Sequence, residues 1–199
     1  TLSKILQPGQ GMDISLIDSA GAVDAVMRPW VAKKSKEQLP LFMLERLSAF
    51  AEGADLARLT WQNSAGDDTD LTPVAWRKPF TVNFSGTSVT PPPGAFLQAT
   101  PQGEAVLTEA VLRALPKKAK VADLYAGCGT FTFAMAAARH KVHAVEGFAP
   151  ALAALKAAMP GKPVTAEKRD LAREPLSARE LDAFDAVVMD PPRVGAQAQ

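Results

Sequence analysis

The sequence predicts an α/β chain: an incomplete, doubly wound parallel sheet over residues 95–199, preceded by a small, mostly antiparallel α+β domain over residues 1–94. Three observations carry that prediction. After residue 120, short apolar runs alternate with Ala-rich segments of helical character, the pattern of repeated strand–helix units with parallel strands and crossover helices. Gly127 and Gly129 break the first of these runs just before its helix. Upstream, period-two stretches are separated by turn residues, and Thr90 to Gly94 (TPPPG) forms a stiff divide, because three prolines cannot sit in a central strand.

Taken in order, Met12 to Ile17 alternates, DSAG at 18–21 turns, and Ala22 to Met27 resumes, which reads as a hairpin ended by Pro29. Leu44, Leu47, Phe50 and Ala51 fall at helical spacing within 39–51, with Gly53 as the stop. Ala57 to Trp61, Leu71 to Trp76 and Phe80 to Phe84 are three strand candidates, the first two separated by the polar turn NSAGDDTD. Trp30, Trp61 and Trp76 read as buried packing residues ahead of base-stacking platforms. Beyond the prolines, a helix spans 103–115 with Val106, Leu107, Ala110, Val111 and Leu115 on one face, and Pro116 ends it. Then come a strand from Val121, a helix over 130–139, a strand over 141–146, a helix over 149–159, a strand over 164–167 and a strand over 183–190.

Composition sets bounds. The 199 residues suffice for a sizeable core, and 47% hydrophobic with 22% charged residues is ordinary for a globular chain. A net charge of +1 gives no nucleic-acid signal in total. It hides local clusters, Arg28 with Lys33, Lys34 and Lys36, and Lys117 with Lys118 and Lys120, which read as solvated surface ahead of RNA contacts. One cysteine excludes a disulfide framework, a zinc ribbon and a four-cysteine iron–sulfur site, so no metal is expected within this chain. A cytoplasmic monomer is the expectation, with neither a membrane span nor a signal peptide at the N-terminus.

The chemistry concentrates at the strand ends. A strand, a glycine turn and a helix N-terminus let backbone approach a nucleoside cofactor closely. Glu146, at the end of the next strand, stands where such sheets place a carboxylate for ribose hydroxyls. A dinucleotide fingerprint would put Gly or Ala at position 132, but Thr132 is there, and Asp123 adds a carboxylate that would repel a pyrophosphate. A sulfonium nucleoside would be attracted, so S-adenosylmethionine is preferred, with a non-binding turn and an NAD-linked oxidoreductase as rivals. Asp123, Gly127, Gly129, Glu146, Asp170 and Asp190 all fall at the carboxyl ends of strands. Asp190-Pro191-Pro192-Arg193 then supplies free carbonyls and a guanidinium for a planar base and its phosphate.

These motifs, FLQAT at 96–100, DLYAGCGTF at 123–131, VEG at 145–147, RDL at 169–171 and DPPRVGA at 190–196, resemble in order those of the S-adenosylmethionine-dependent RNA 5-methyluridine (uracil-C5) methyltransferases of ribosomal and transfer RNA. The resemblance covers the second half of the chain. It implies a Rossmann-like class I methyltransferase sheet in which Gln98, Tyr125, Thr130, Glu146, Asp170 and Asp190 touch the cofactor, and an RNA substrate, 23S rRNA ahead of tRNA. The family often has Asn where Thr100 and Thr130 stand, and Cys where Ala126 stands.

Uracil C5 needs a thiolate added at C6 before it can attack a methyl group. Cys128 lies in the cofactor loop, away from the base-reading segment, and reads as structural. The resemblance places the nucleophilic cysteine and the base after Gln199, so the chain is expected to be an inactive fragment, missing an N-terminal RNA-binding domain too. An N-methyltransferase reading its base through DPPR, or a non-catalytic RNA-binding module, are the alternatives.

Overall fold

The computed structural model describes residues 11–30, 39–63 and 71–199. Residues 1–10, the basic stretch with Lys33, Lys34 and Lys36, and most of the NSAGDDTD turn lie outside them. The chain forms two compact units that divide between Thr81 and Val82.

In the first unit, β1 (Met12–Ser19) and β2 (Ala22–Pro29) pair antiparallel across a two-residue turn, with Met12 opposite Pro29 and Ser19 opposite Ala22. Ala20 and Gly21 both take positive φ there, and Asp18 accepts a hydrogen bond from the Gly21 amide. Helix α1 (Leu41–Gly53) then crosses over to β3 (Arg58–Gln62), which lies parallel to β2, and β4 (Leu71–Trp76) returns antiparallel. The helix forms because Leu44, Leu47, Phe50 and Ala51 fall on one stripe, and that stripe packs on Ala25, Met27, Leu59 and Trp61. Gly53 is the last residue of the helix, and Ala54 follows as its cap.

A buried ion pair joins β2 to β3: Arg58 Nε and Nη2 donate to the two carboxylate oxygens of Asp24 at 2.9 and 2.7 Å. The tryptophans divide. Trp61 is buried, but Trp30 and Trp76 are 65% and 64% exposed, contrary to the expectation of three packing residues. Trp76 ends an edge strand, with the Arg58 guanidinium 5.9 Å from its ring. Trp30 follows β2 and lies over the backbone of Gly11.

The second unit opens with a hairpin, β5 (Val82–Phe84) and β6 (Thr87–Val89), turned at Ser85-Gly86 with both φ positive. The sequence reading placed this stretch in the first domain, ending at residue 94. The hairpin packs instead on α3 (Thr130–Ala137) and α4 (Ala149–Ala158), with Phe84 and Val89 buried. Helix α2 (Pro101–Ala114) starts two residues earlier than the periodicity indicated, because the Thr100 hydroxyl caps it by accepting from the Gly103 amide and Pro101 suits the first turn.

The sheet that follows is all parallel, in order β10-β7-β8-β9: β7 (Lys120–Leu124), β8 (Lys141–Glu146), β9 (Val164–Lys168) and β10 (Ala186–Met189). β7 and β8 are central, and Val121, Ala122, Leu124, Val142, Ala144 and Val145 are buried, as a strand covered on both faces requires. Edge strand β10 is shorter than read from the sequence, and its Val187 and Met189 remain 44% and 47% exposed. The one-turn helix α5 (Ala178–Leu181) escaped the sequence reading, although Ser177 and Glu180 close a capping box on it.

Candidate cofactor site at the carboxyl rim

All four parallel strands point their carboxyl ends at one rim, and there the chain turns with unusual backbone. After β7, Tyr125, Gly127 and Gly129 take φ of 63°, 57° and 100°, which reverses the chain into α3. The two glycines serve different ends. A Cβ on Gly129 would fall 2.6 Å from the Phe133 ring, so this position is closed by packing. A Cβ on Gly127 would meet nothing within 4 Å, so the backbone there faces open space, the condition for close approach of a ligand.

Glu146 ties the two central loops together. One carboxylate oxygen accepts from the Gly127 amide at 2.7 Å and the other from the Phe148 amide at 2.6 Å. Two backbone donors fix the half-buried carboxylate while leaving lone pairs on both oxygens for hydroxyl donors. Gly147 next to it lies against the backbone of Arg169 and Asp170, where a Cβ would come within 3.3 Å of a carbonyl oxygen. Asp170 is exposed and accepts from the Ala172 amide at 3.1 Å, with Arg173 3.4 Å away. Asp190 follows β10, exposed, its amide donating to the Leu124 carbonyl at 3.4 Å.

Asp123 behaves differently from the other carboxylates. It is 1% exposed and accepts a short hydrogen bond from the Thr132 hydroxyl, itself fully buried in α3. Burial pushes its pKa up to about 7, the nearby charges of Asp190 and Glu146 push the same way, and Thr132 opposes them. It is therefore a buried carboxyl beneath the rim whose proton is held well above the usual carboxylate range. The sequence reading saw Thr132 only as a departure from a dinucleotide fingerprint. The signal for its role was a second hydroxyl inside an apolar helix, after the Thr130 that opens it and nine residues after an acid.

Cys128 is 5% exposed, and burial together with the neighbouring Glu146 charge raises its pKa to about 11. A thiol held protonated in that way is neither nucleophile nor ligand at neutral pH. Of the remaining candidates, Thr130 opens α3 beside Gly129, and Gln98 is half-buried three residues ahead of α2, which packs on α3. Pro191 is half-buried and Pro192 and Arg193 are exposed, in a turn closed by the Gly195 amide on the Pro192 carbonyl. Along the rim the structure thus brings together Asp190, Asp123 to Thr130, Glu146 and Asp170 in the order of the strands.

No family profile matches the chain. Among curated proteins, an uncharacterized RNA methyltransferase of Rhizobium meliloti is 52% identical over 122 residues, 59% of this chain and 29% of that protein. An uncharacterized RNA methyltransferase of Zymomonas mobilis is 34% identical over 94% of this chain and 51% of its own length. The chain belongs to this RNA methyltransferase family. A 23S rRNA (uracil-C5)-methyltransferase of Pseudomonas entomophila is 32% identical over 89% of the chain and 39% of its own length. The chain therefore spans about half or less of the length of these curated relatives.

The crystal structure of the tRNA (uracil-54, C5)-methyltransferase of Pyrococcus abyssi, in complex with S-adenosyl-L-homocysteine, superposes with a TM-score of 0.63 at 20% identity, over 89% of this chain and 42% of that one. The fold is that of S-adenosylmethionine-dependent methyltransferases. Among the described residues, no group of His, Cys, Asp and Glu could hold a metal ion, and no helix is long and apolar enough to cross a membrane.

Proposed function

We propose that this chain carries the cofactor-binding part of an S-adenosylmethionine-dependent methyltransferase that makes 5-methyluridine in RNA, 23S rRNA ahead of tRNA, in the cytoplasm. The observation that carries the reading is the open backbone at Gly127 beside a Glu146 carboxylate already anchored by two amides. That cradle suits an adenosine with its ribose hydroxyls on Glu146, and Gly127, Gly129 and Tyr125 lie against it. Bound there, S-adenosylmethionine supplies an electrophilic methyl group. Asp170 would accept from the adenine amine, Gln98 and Thr130 would complete the pocket, and Asp190, near the buried Asp123, would hold the cationic end of the cofactor.

The Asp190 to Arg193 segment receives the base. Pro191 and Pro192 carry no N–H, so their carbonyls accept from the uracil edge while Arg193 holds a phosphate. Cys128 does not supply the thiolate, because burial keeps it protonated. The family resemblance assigns that thiolate and the proton-abstracting base to residues other than those of this site.

The test uses the full-length protein, with RNA tritiated at uracil C5. Methylation at C5 releases that tritium, so release coupled to methyl incorporation is the expected result. Incorporation without release would mean methylation at nitrogen, and neither would mean a non-catalytic RNA-binding role.

A further inference from the structure

The parallel sheet carries acids at its carboxyl rim and bases at the opposite one. Lys120 opens β7, Lys141 opens β8 and Lys162 precedes β9, and with Val142, His143, Pro163 and Thr165 they line a cleft of about 360 Å³. Lys117 and Lys118 in the turn before β7, and Arg139 before β8, are exposed at the same end. Lys120 and Lys141 are direct register partners on neighbouring parallel strands. Like charges placed opposite one another destabilise a sheet, and among the described residues no carboxylate lies within ion-pair distance of Lys120, Lys141 or Lys162.

The acids near the cleft have other partners. Asp185 accepts from the Lys120 backbone amide at 2.7 Å, and Glu167 stands 3.6 Å from His143 and 3.5 Å from Arg169. The His143 ring stacks on Phe184 with centroids 5.8 Å apart, and Lys120 lies 4.8 Å from the same Phe184 ring. An apolar, ring-backed floor under a rim of ammonium groups is the combination that holds a single-stranded nucleic acid: cations track the phosphates and a base lies on the floor.

We propose that this cleft is a second RNA contact, taking backbone phosphates on Lys120, Lys141 and Lys162 and a base against His143 and Pro163. The inference rests on the reading of the substrate as RNA. β7 is five residues long, so the two rims lie roughly 16 Å apart, a distance that about five stacked nucleotides cover. One RNA can therefore hold the cleft while a base further along enters the carboxyl rim.

The experiment measures binding of a fluorescein-labelled single-stranded RNA to the 199-residue chain over a salt series, for wild type, for K120Q/K141Q/K162Q, and for R46Q/K78Q/R179Q, which changes net charge equally elsewhere. Three lost phosphate contacts, at roughly 0.7 each, make the log–log salt slope shallower by about 2. That equals ~100-fold weaker binding at 0.1 M salt relative to a common 1 M intercept. The cleft variant should show this loss and the control variant should keep the wild-type slope. K141Q alone, with a slope change of ~0.7, replaces the triple variant if the latter does not fold.

An unchanged slope in the cleft variant, or an equal loss in the control, overturns the second contact while leaving RNA as the substrate. A wild-type chain that binds no RNA also overturns the second contact, whereas the reading on which it rests falls only if the full-length protein neither methylates RNA nor binds it.

Discussion

Replacing Thr132 by Val removes the hydroxyl that bonds Asp123 while keeping the shape of the side chain. Asp123 has its pKa raised by burial from 3.8 to about 7, so between those values the folded protein holds a proton that the unfolded chain has released. Stability from this group is therefore lost as pH rises through that window, by about 4 kcal/mol at most, and is level above it.

Thr132 donates to this carboxyl, and a hydrogen bond to an ionised group contributes about 1.5–3 kcal/mol against ~1 for a neutral one. T132V should accordingly destabilise the second unit by about 3 kcal/mol at pH 8.5, where Asp123 is ionised, and by ~1 kcal/mol at pH 5, where it is not. All three tryptophans lie at or before residue 76, so the unfolding of this unit must be followed another way. The single cysteine, Cys128, is buried in it, and urea-dependent thiol labelling reports its opening. Equal destabilisation at both pH values would refute the buried, proton-exchanging Asp123.

The other predictions concern separate parts of the molecule. E146Q sets an amide N–H₂ against one of two backbone donors, so it should destabilise the loop by about 1–3 kcal/mol and weaken S-adenosylhomocysteine binding ~10-fold or more, measured by amide chemical-shift titration. G127A, with its Cβ in open space, should cost only about 1 kcal/mol of stability while blocking the cofactor. G129A, at φ 100° and against Phe133, should cost at least ~2 kcal/mol in thiol-monitored unfolding.

Cys128 should react with thiol reagents at pH 8 about 100-fold more slowly than an ordinary cysteine from suppressed ionisation alone, a difference that urea abolishes. D24N, which leaves Arg58 buried beside a neutral partner, should destabilise the first unit by about 3–5 kcal/mol, seen in the tryptophan fluorescence midpoint.

Much of this was legible in the residues because local chemistry and fold agree. The glycine turn, Glu146 at a strand end and the βα alternation are each written within a few neighbouring positions, and the parallel sheet follows from them. What the sequence hid depends on contacts between distant positions. Asp123 reads as another acid on the rim until Thr132 is found bonded to it beneath the surface. The hairpin at 82–89 looks like the end of the first domain until its side chains meet α3 and α4. Exposed Trp30 and Trp76 have the composition of core residues but stand beside Gly11 and at a sheet edge. The lysines of the cleft are scattered over more than forty residues and meet only because β7, β8 and β9 run side by side.

The most direct test is an amide chemical-shift titration of the chain with S-adenosylhomocysteine, which detects weak binding as well as strong. Saturable shifts confined to residues near 98, 123–130, 146–148, 170 and 190, with the midpoint moved ~10-fold or more to higher concentration in E146Q, are the predicted result. Saturable shifts confined to other residues, or the same shifts produced by NAD and not by S-adenosylhomocysteine, would contradict it.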